Sequence, residues 1–273
     1  MEENQLQQIE GISEVKKLNP VTFINGDNMA LLRWMHKNMM YKYFHVGIVD
    51  PPYGISVGNM NLGATKDSKP RNYDMGDWDN SVPTLEYWYL LNYCCRNLII
   101  WGGNYFTEDF GRFFVTEDEN KVYTVHNEKT FEDIDYANVS SIEFKRGIRS
   151  GRCFITWDKM NDKMSFAAGE LAITTFDKNA VIIRRPRNAS SSDNDGERRH
   201  PTQKPVYLYD YLHLNFVNKG ERVLDTHGGS FTHAIAAHKN NVNLTIIDMN
   251  KSYFDSGIKA YQDSTSKGRL LFD

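Results

Sequence analysis

Cysteine is scarce in this 273-residue chain, and its three cysteines, Cys94, Cys95 and Cys153, form no Cys-x-x-Cys pair. That pattern predicts reduced thiols in a cytoplasm. Long apolar runs are missing as well. None approaches the ~20 residues of a membrane span, so no membrane partner is expected. The opening MEENQLQQIEGISEVKK is polar and lacks a signal-peptide core, and residues 1–20 read as a polar N-terminal extension. The chain has no internal repeat, no recognition helix or finger motif, and no full Gly-x-Gly-x-x-Gly loop. It also lacks an excess of positive charge: the formal net charge is −3.

That small sum hides an uneven distribution. Residues 116–144 hold eight acids and two lysines, which leaves the rest of the chain at +3. Basic clusters follow: Arg146 and Arg149 in KRGIRSGR (145–152), then Arg184, Arg185 and Arg187, then Arg198 and Arg199. Any one of them suits a solvated surface. Three of them flanking the motifs below point toward phosphate contacts. Residues 116–150 are acidic and poorly periodic, and read as an insertion. Residues 186–200, PRNASSSDNDGERRH, read as a flexible loop.

Four apolar runs stop at an aspartate: VTFINGD at Asp27, VGIVD at Asp50, RVLD at Asp225 and LTIID at Asp248. Helix-compatible segments follow most of them. NMALLRWMHKN places Met29, Leu32, Met35 and Met39 roughly on one face; FTHAIAAHKN and KSYFDSGIKAYQ are the others. NLIIWGGN (97–104) and RCFITWD (152–158) are further strand candidates. Strands alternating with helices predict a doubly wound, mostly parallel α/β sheet. Ligands gather at the carboxyl ends of such strands, where these four acids stand.

RVLDTHGGSFTHAIAA (222–237) is a strand, an acid, a glycine turn and a helix start. Its glycines let backbone approach a ligand, and the helix start offers free N–H groups. Asp248 follows Asp225 by 23 residues, close to the ~20 expected for an acid that holds ribose hydroxyls. A nucleoside-containing ligand fits both features. Asp225 suits a cationic ligand better than a pyrophosphate, which it would repel. His227, His233 and His238 are not spaced to share one helix face, and no metal is assigned. Cys94–Cys95 reads as a packed helix position, and Trp88, Tyr89, Tyr93 and Trp101 as core.

The remaining motif is VGIVDPPYGIS (46–56). Two consecutive prolines stop a strand and remove two backbone donors, leaving a stiff segment with a carboxylate, a bare carbonyl and an aromatic face. Asp50-Pro51-Pro52-Tyr53 resembles the catalytic tetrapeptide of the S-adenosylmethionine-dependent amino-methyltransferases of DNA. The permuted β group of that family places the cofactor motif near the C-terminus. NGDNMALL (25–32), IIWGGNYF (99–106), WDKMND with SFAAGELAITTF (157–176), HPTQKPVYL (200–208), LDTHGGSFTHAIAA and IIDMNKSYF (246–254) resemble the family's other blocks in order. The resemblance covers most of residues 21–260. It implies a Rossmann-like fold with a small inserted lobe, a catalytic domain over 21–273, and S-adenosylmethionine as cofactor. Asp27, His200, Thr202, Lys204, Asp225, His227, Gly229, Ser230 and Asp248 would hold that cofactor.

It further implies double-stranded DNA as partner, in a bacterial cell or phage-infected host. A second copy of the chain and a cognate restriction nuclease are open partners. The acceptor implied by an acid at position 50 is adenine N6, with cytosine N4 as the alternative. The sequence departs from the family pattern at Thr226–His227, where Pro-Phe is usual, and at Phe231, where the third glycine is usual. A weak or inactive DNA- or partner-binding member therefore stays open, as does a dehydrogenase-type nucleotide enzyme, which would leave DPPY and HPTQKP unexplained.

Overall fold

Alternate residues of the central strands face two different helical layers, and this alternation organises the molecule. A computed structural model describes residues 1–54, 82–132, 134, 136–161, 167–186, 200 and 202–269. The chain begins with α1 (Glu3–Gln7), β1 (Ile12–Leu18), β2 (Val21–Gly26), α2 (Asn28–Lys37) and β3 (Phe44–Val49). α3 (Leu85–Cys94) runs directly into β4 (Cys95–Trp101). β5 (Phe113–Glu117), β6 (Tyr123–His126), α4 (Glu128–Phe131) and β7 (Ser141–Lys145) come next, then β8 (Phe154–Asp158), β9 (Gly169–Thr174) and β10 (Val181–Arg184). α5 (Val206–Phe216), β11 (Arg222–Asp225), α6 (Thr232–Lys239), β12 (Asn243–Asp248) and α7 (Lys251–Arg269) complete it.

Among the described residues, nine strands form one sheet in the order β1-β2-β12-β11-β3-β4-β9-β8-β10. The run from β2 to β4 is parallel throughout; β1, and β9 against both its neighbours, are antiparallel. Val46, Ile48, Ile99, Trp101, Val223, Leu244 and Ile246 face α5, α6 and α7. Ile24, Val49, Leu98, Ile100, Leu224 and Ile247 face α2 and α3. β11 sends its chain through α6 on one face, whereas the adjacent β3 is followed by α3 on the other. This is the topological switch point of a doubly wound sheet, where a crevice opens at the strands' carboxyl ends.

Several elements differ from the sequence reading. The first 20 residues are not an appendage, because β1 pairs antiparallel with β2 and Leu6, Ile9, Ile12 and Val15 are buried. Their apolar positions are too widely spaced among polar ones to stand out. Met39 is not on the buried face of α2. It lies past the helix end with φ +53° and is 83% exposed, and Leu31, Leu32 and Met35 pack instead. Cys94 ends α3 and Cys95 opens β4, so the pair is buried at a helix–strand joint. Of the 116–150 stretch, β5, β6 and β7 form a separate three-stranded sheet that begins earlier, at Phe113. This small lobe packs on α2 and α3 through Tyr89–Phe113 and His36–Tyr123 ring contacts, and Tyr123 donates its hydroxyl to Glu86. Most of the loop read over 186–200 lies outside the described residues.

Phe231 explains how a large residue fits where glycine is usual. It precedes α6 with φ +57°, a left-handed conformation that disfavours side chains. Its ring is fully buried near Phe23 and Phe254, at 5.8 and 6.1 Å. Gly257 of α7 makes the room: a Cβ there would stand 2.4 Å from the Phe231 ring. The side chain thus goes into the core below the turn, and the backbone keeps the shape that a glycine would give it.

Candidate active site

The carboxyl ends of the sheet form one edge, and most of the candidate residues lie along it. Asp27 follows β2, Asp248 ends β12, Asp225 ends β11 and Asp50 follows β3. Asp27 caps α2 by accepting the Met29 N–H at 2.9 Å and is exposed. Asp248 accepts N–H bonds from Gly229 at 2.7 Å and Asn250 at 2.8 Å, which ties the acid to the glycine turn. The Gly228 N–H bonds the Ile247 carbonyl at 2.9 Å beside it. His200 lies over Gly229 and against the Tyr253 ring at 4.7 Å, and the Thr202 hydroxyl is 3.1 Å from its Nδ1. Ser230 Oγ sits 3.2 Å from Thr232 Oγ1.

Asp225 is enclosed more deeply than a direct ligand requires, with 2% exposure. One oxygen accepts the His227 N–H at 3.0 Å and the other bonds His233 Nδ1 at 2.7 Å. Burial pushes its carboxyl up to about 6, and burial pushes Asp248 up to about 6 as well. His233 in turn meets His213 of α5, Nε2 to Nε2 at 2.9 Å, and Tyr209 stacks on the His233 ring at 4.3 Å. The His227 ring, which the resemblance places at the cofactor, sits in a side-chain hydrogen-bond network. It bonds Asn28 of α2 at 3.1 Å and Thr226 Oγ1 at 3.0 Å, and Thr226 bonds the Tyr87 hydroxyl of α3 at 2.7 Å. The Thr226–His227 pair that replaces Pro-Phe thus knits the cofactor turn to the opposite helical layer. His238 bonds the Tyr261 hydroxyl at 3.1 Å, and no cluster of three metal-ligating side chains occurs among the described residues.

Pro51 is buried at the carboxyl end of β3, and Pro52 and Tyr53 are half-buried. The Tyr53 hydroxyl donates to Asp50 Oδ1 at 2.6 Å. Its ring lies on Gly102 of the turn after β4, where any Cβ would collide with it at 2.2 Å, and stacks with Tyr105 at 5.1 Å and 15°. Gly102 is thus required twice, for its φ of +63° and for this contact. Asp50 Oδ2 is ion-paired with the ammonium of Lys204. That ammonium also lies 3.1 Å from Glu170 Oε2 and over the Trp101 ring at 5.2 Å, and Lys159 holds Glu170 Oε1 at 2.6 Å.

Lys204, which the resemblance places at the cofactor, has its ammonium on the Asp50 carboxylate. Its backbone still serves the cofactor helix, since Thr232 Oγ1 donates to the Lys204 carbonyl at 2.7 Å. Residue 204 thereby joins Asp50 to the start of α6.

The basic candidates divide. Arg184 ends β10 on the same edge and Arg185 follows it, with Arg184 paired to Asp158 at 3.0 Å and Arg185 over the Tyr207 ring at 4.4 Å. Arg146 and Arg149 are exposed but belong to the opposite edge. The Arg146 carbonyl accepts from Asn92 near the end of α3, and the Gly151 N–H bonds Thr174 at the far end of β9. They stand a strand length, roughly 20 Å, from the acceptor edge. Arg187, Arg198 and Arg199 lie outside the described residues.

A family model described as a DNA methylase, covering the N6 and N4 amino-methyltransferases, matches residues 44–259. The chain belongs to this family of S-adenosylmethionine-dependent DNA methylases. No curated protein matches the methylase by sequence. Among solved structures it is similar to an M1.HpyAVI–SAM complex, at 15% identity and TM-score 0.49, covering 88% of this chain and 98% of that one. It is also similar to the cytosine-N4-specific PvuII DNA methyltransferase, at 11% identity, TM-score 0.46 and 90% of each chain. A third is TTHA0409, a putative DNA modification methylase from Thermus thermophilus complexed with S-adenosyl-L-methionine, at 14% identity and TM-score 0.44, covering 88% and 92%.

The donor set of the methylase fits S-adenosylmethionine. Carboxylates at three neighbouring strand ends around a glycine turn suit a cationic ligand with ribose hydroxyls, and would repel a pyrophosphate. Asp248, Gly229 and Asp27 would hold it, with His200 against the turn. Sequence reasoning missed Glu170, Lys159, Tyr105 and His233. The signal for Glu170 was the block SFAAGELAITTF, in which it is the single charge; nothing in the sequence pairs it with Lys204.

Proposed function

We propose that this methylase transfers a methyl group to the N6 amine of adenine in double-stranded DNA, on a base extruded from the helix. An exocyclic amine is a poor nucleophile because its lone pair is delocalised into the ring. The Asp50 carboxylate and the Pro51 carbonyl can each accept one N–H bond, which orients the amine and stabilises the positive charge that develops on nitrogen. S-adenosylmethionine, when bound, supplies a methyl group on a charged sulfur, so the protein needs no nucleophile of its own. What remains is orientation, a large share of the rate in such a transfer.

A stacked base cannot reach a carboxylate at a sheet edge. Extrusion costs a few kcal/mol, and the Tyr53 ring offers stacking worth ~1–3 kcal/mol per base. The amine takes the place of the Tyr53 hydroxyl on Asp50 Oδ1, which frees the ring to meet the base. Arg184 and Arg185, on the same edge, contact phosphates. The observation that carries the reading is an acid at position 50, beside the cofactor turn: within this family an acid there goes mainly with adenine and serine mainly with cytosine. The test is incubation with methyl donor and mixed-sequence DNA, followed by mass spectrometry of nucleosides. N6-methyladenine is expected. N4-methylcytosine would overturn the acceptor, and unmodified DNA the transfer itself.

A further inference from the structure

Four charges alternate in a row across the acceptor edge: Asp50, Lys204, Glu170 and Lys159. Lys204 has 3% of its side chain exposed and Asp50 19%. A buried ammonium this close to the reacting carboxylate has a consequence for the reaction. We infer that Lys204, held from behind by Glu170, is a positioning residue for methyl transfer: it occupies one oxygen of Asp50 and favours the charged form of that carboxyl, so that the other oxygen is the one offered to the amine. The inference rests on the reading of Asp50 as amine acceptor.

The geometry is one-sided. Oδ2 of Asp50 faces the ammonium and Oδ1 faces the Tyr53 hydroxyl, a neutral group that a ligand can displace. Glu170 Oε2 lies 3.1 Å from the ammonium yet receives no well-aligned hydrogen bond among the described residues, so it acts on Lys204 chiefly through charge. Lys159 takes the other Glu170 oxygen and prevents that carboxylate from swinging away.

The groups that face Asp50 are Lys204, Glu170 of β9, Tyr53 and Tyr209 of α5, with Asp225 acting on Tyr209 behind them. Burial pushes the Asp50 carboxyl up; Lys204 opposes this, and Glu170 adds to it. Burial works against the Lys204 charge, but Asp50 and Glu170 outweigh it and hold its pKa above the ordinary value. Glu170 is desolvated too, yet Lys204 and Lys159 bring it down to about 2. Lys204 and Glu170 therefore act on Asp50 with opposite signs.

That opposition supplies the test. kcat is measured against pH for the full chain at saturating donor and DNA, where the acidic limb reports a group of the bound complex. Calorimetry measures S-adenosylmethionine affinity in parallel. Lys204→Met should move the acidic limb to higher pH, Glu170→Gln should move it to lower pH, and both should keep the donor Kd within about twofold. Limbs that stay in place, or that move in the same direction, overturn the inference. So does a Lys204→Met enzyme that loses donor affinity with its limb unmoved, because Lys204 would then be a cofactor ligand after all. Glu170→Gln is nearly isosteric and decides the sign by itself if Lys204→Met does not fold. An Asp50→Ala enzyme that still transfers methyl removes the underlying acceptor reading. A silent Asp50→Ala enzyme with unmoved limbs in the other two variants overturns only the role of Lys204.

Discussion

Tyr53 carries two different contacts, and substitution can separate them. Its hydroxyl occupies Asp50 and its ring touches Gly102 and Tyr105. Tyr53→Ala removes the stacking surface, and the KM for DNA is expected to rise about 5- to 150-fold, the equivalent of ~1–3 kcal/mol, with a smaller change in kcat. Tyr53→Phe keeps the ring and removes a bond that the amine must displace, so its KM is expected to stay within about threefold of the parent. Asp50→Ala should abolish transfer while leaving donor binding intact. Steady-state kinetics on one DNA substrate checks all three, and equal mild losses in Tyr53→Ala and Asp50→Ala would contradict the assigned roles. At this scale the motif DPPY was legible because its backbone chemistry is local. The Lys204–Asp50 pair was not, because the two residues are 154 positions apart and only the fold brings them together.

The turn between β11 and α6 shows what an element adds to its residues. A phenylalanine where the third glycine is usual reads as a departure from the family pattern when only the sequence is in view. The structure turns the ring into the layer beneath, and Gly257, one helix away, is its counterpart. The two positions are coupled. Gly257→Ala pushes a methyl group against the ring and is expected to destabilise by about 1–3 kcal/mol, lowering Tm by several degrees. Phe231→Ala removes the ring and should cost about 3–5 kcal/mol, while Gly257→Ala in that background should cost much less than alone. A double-mutant cycle by thermal unfolding measures the difference, and strict additivity would mean that the ring does not rest on position 257. The strands that end in Asp27, Asp50, Asp225 and Asp248 were legible from alternation and punctuation. The N-terminal strand β1 was not, since its buried residues are diluted by charges that face water on an edge.

At the scale of the whole molecule, six histidines among the described residues are lowered by burial against four aspartates raised by it, and this sets the response to pH. Burial brings His213 and His233 down to about 3 and His227 to about 4, and it lowers His36, His45 and His126 as well. Each binds a proton more readily unfolded than folded, so its contribution is complete above about pH 6.5 and is lost as pH falls below that. Asp225 and Asp248, raised to about 6, and Asp50 and Asp109, also raised by burial, act in the opposite sense over part of that range. The net expectation is lower stability as pH falls from 6.5 toward 4, by about 1.4 kcal/mol per pH unit for each net proton. Urea midpoints at pH 7.5, 6 and 5 check this; a midpoint that holds steady or rises on acidification would refute it. His213→Gln should flatten the slope.

One border of the main sheet depends on the first residues of the chain. β1 lies along the free side of β2, the strand that leads into Asp27, and its buried side chains close that margin of the core. A shortened form starting at Val21 would leave a row of bare amide and carbonyl groups next to uncovered aliphatic surface, an invitation for molecules to zip together side by side. Trimming this segment for convenience would trade a monodisperse preparation for a sticky one, even though the excised residues carry none of the chemistry.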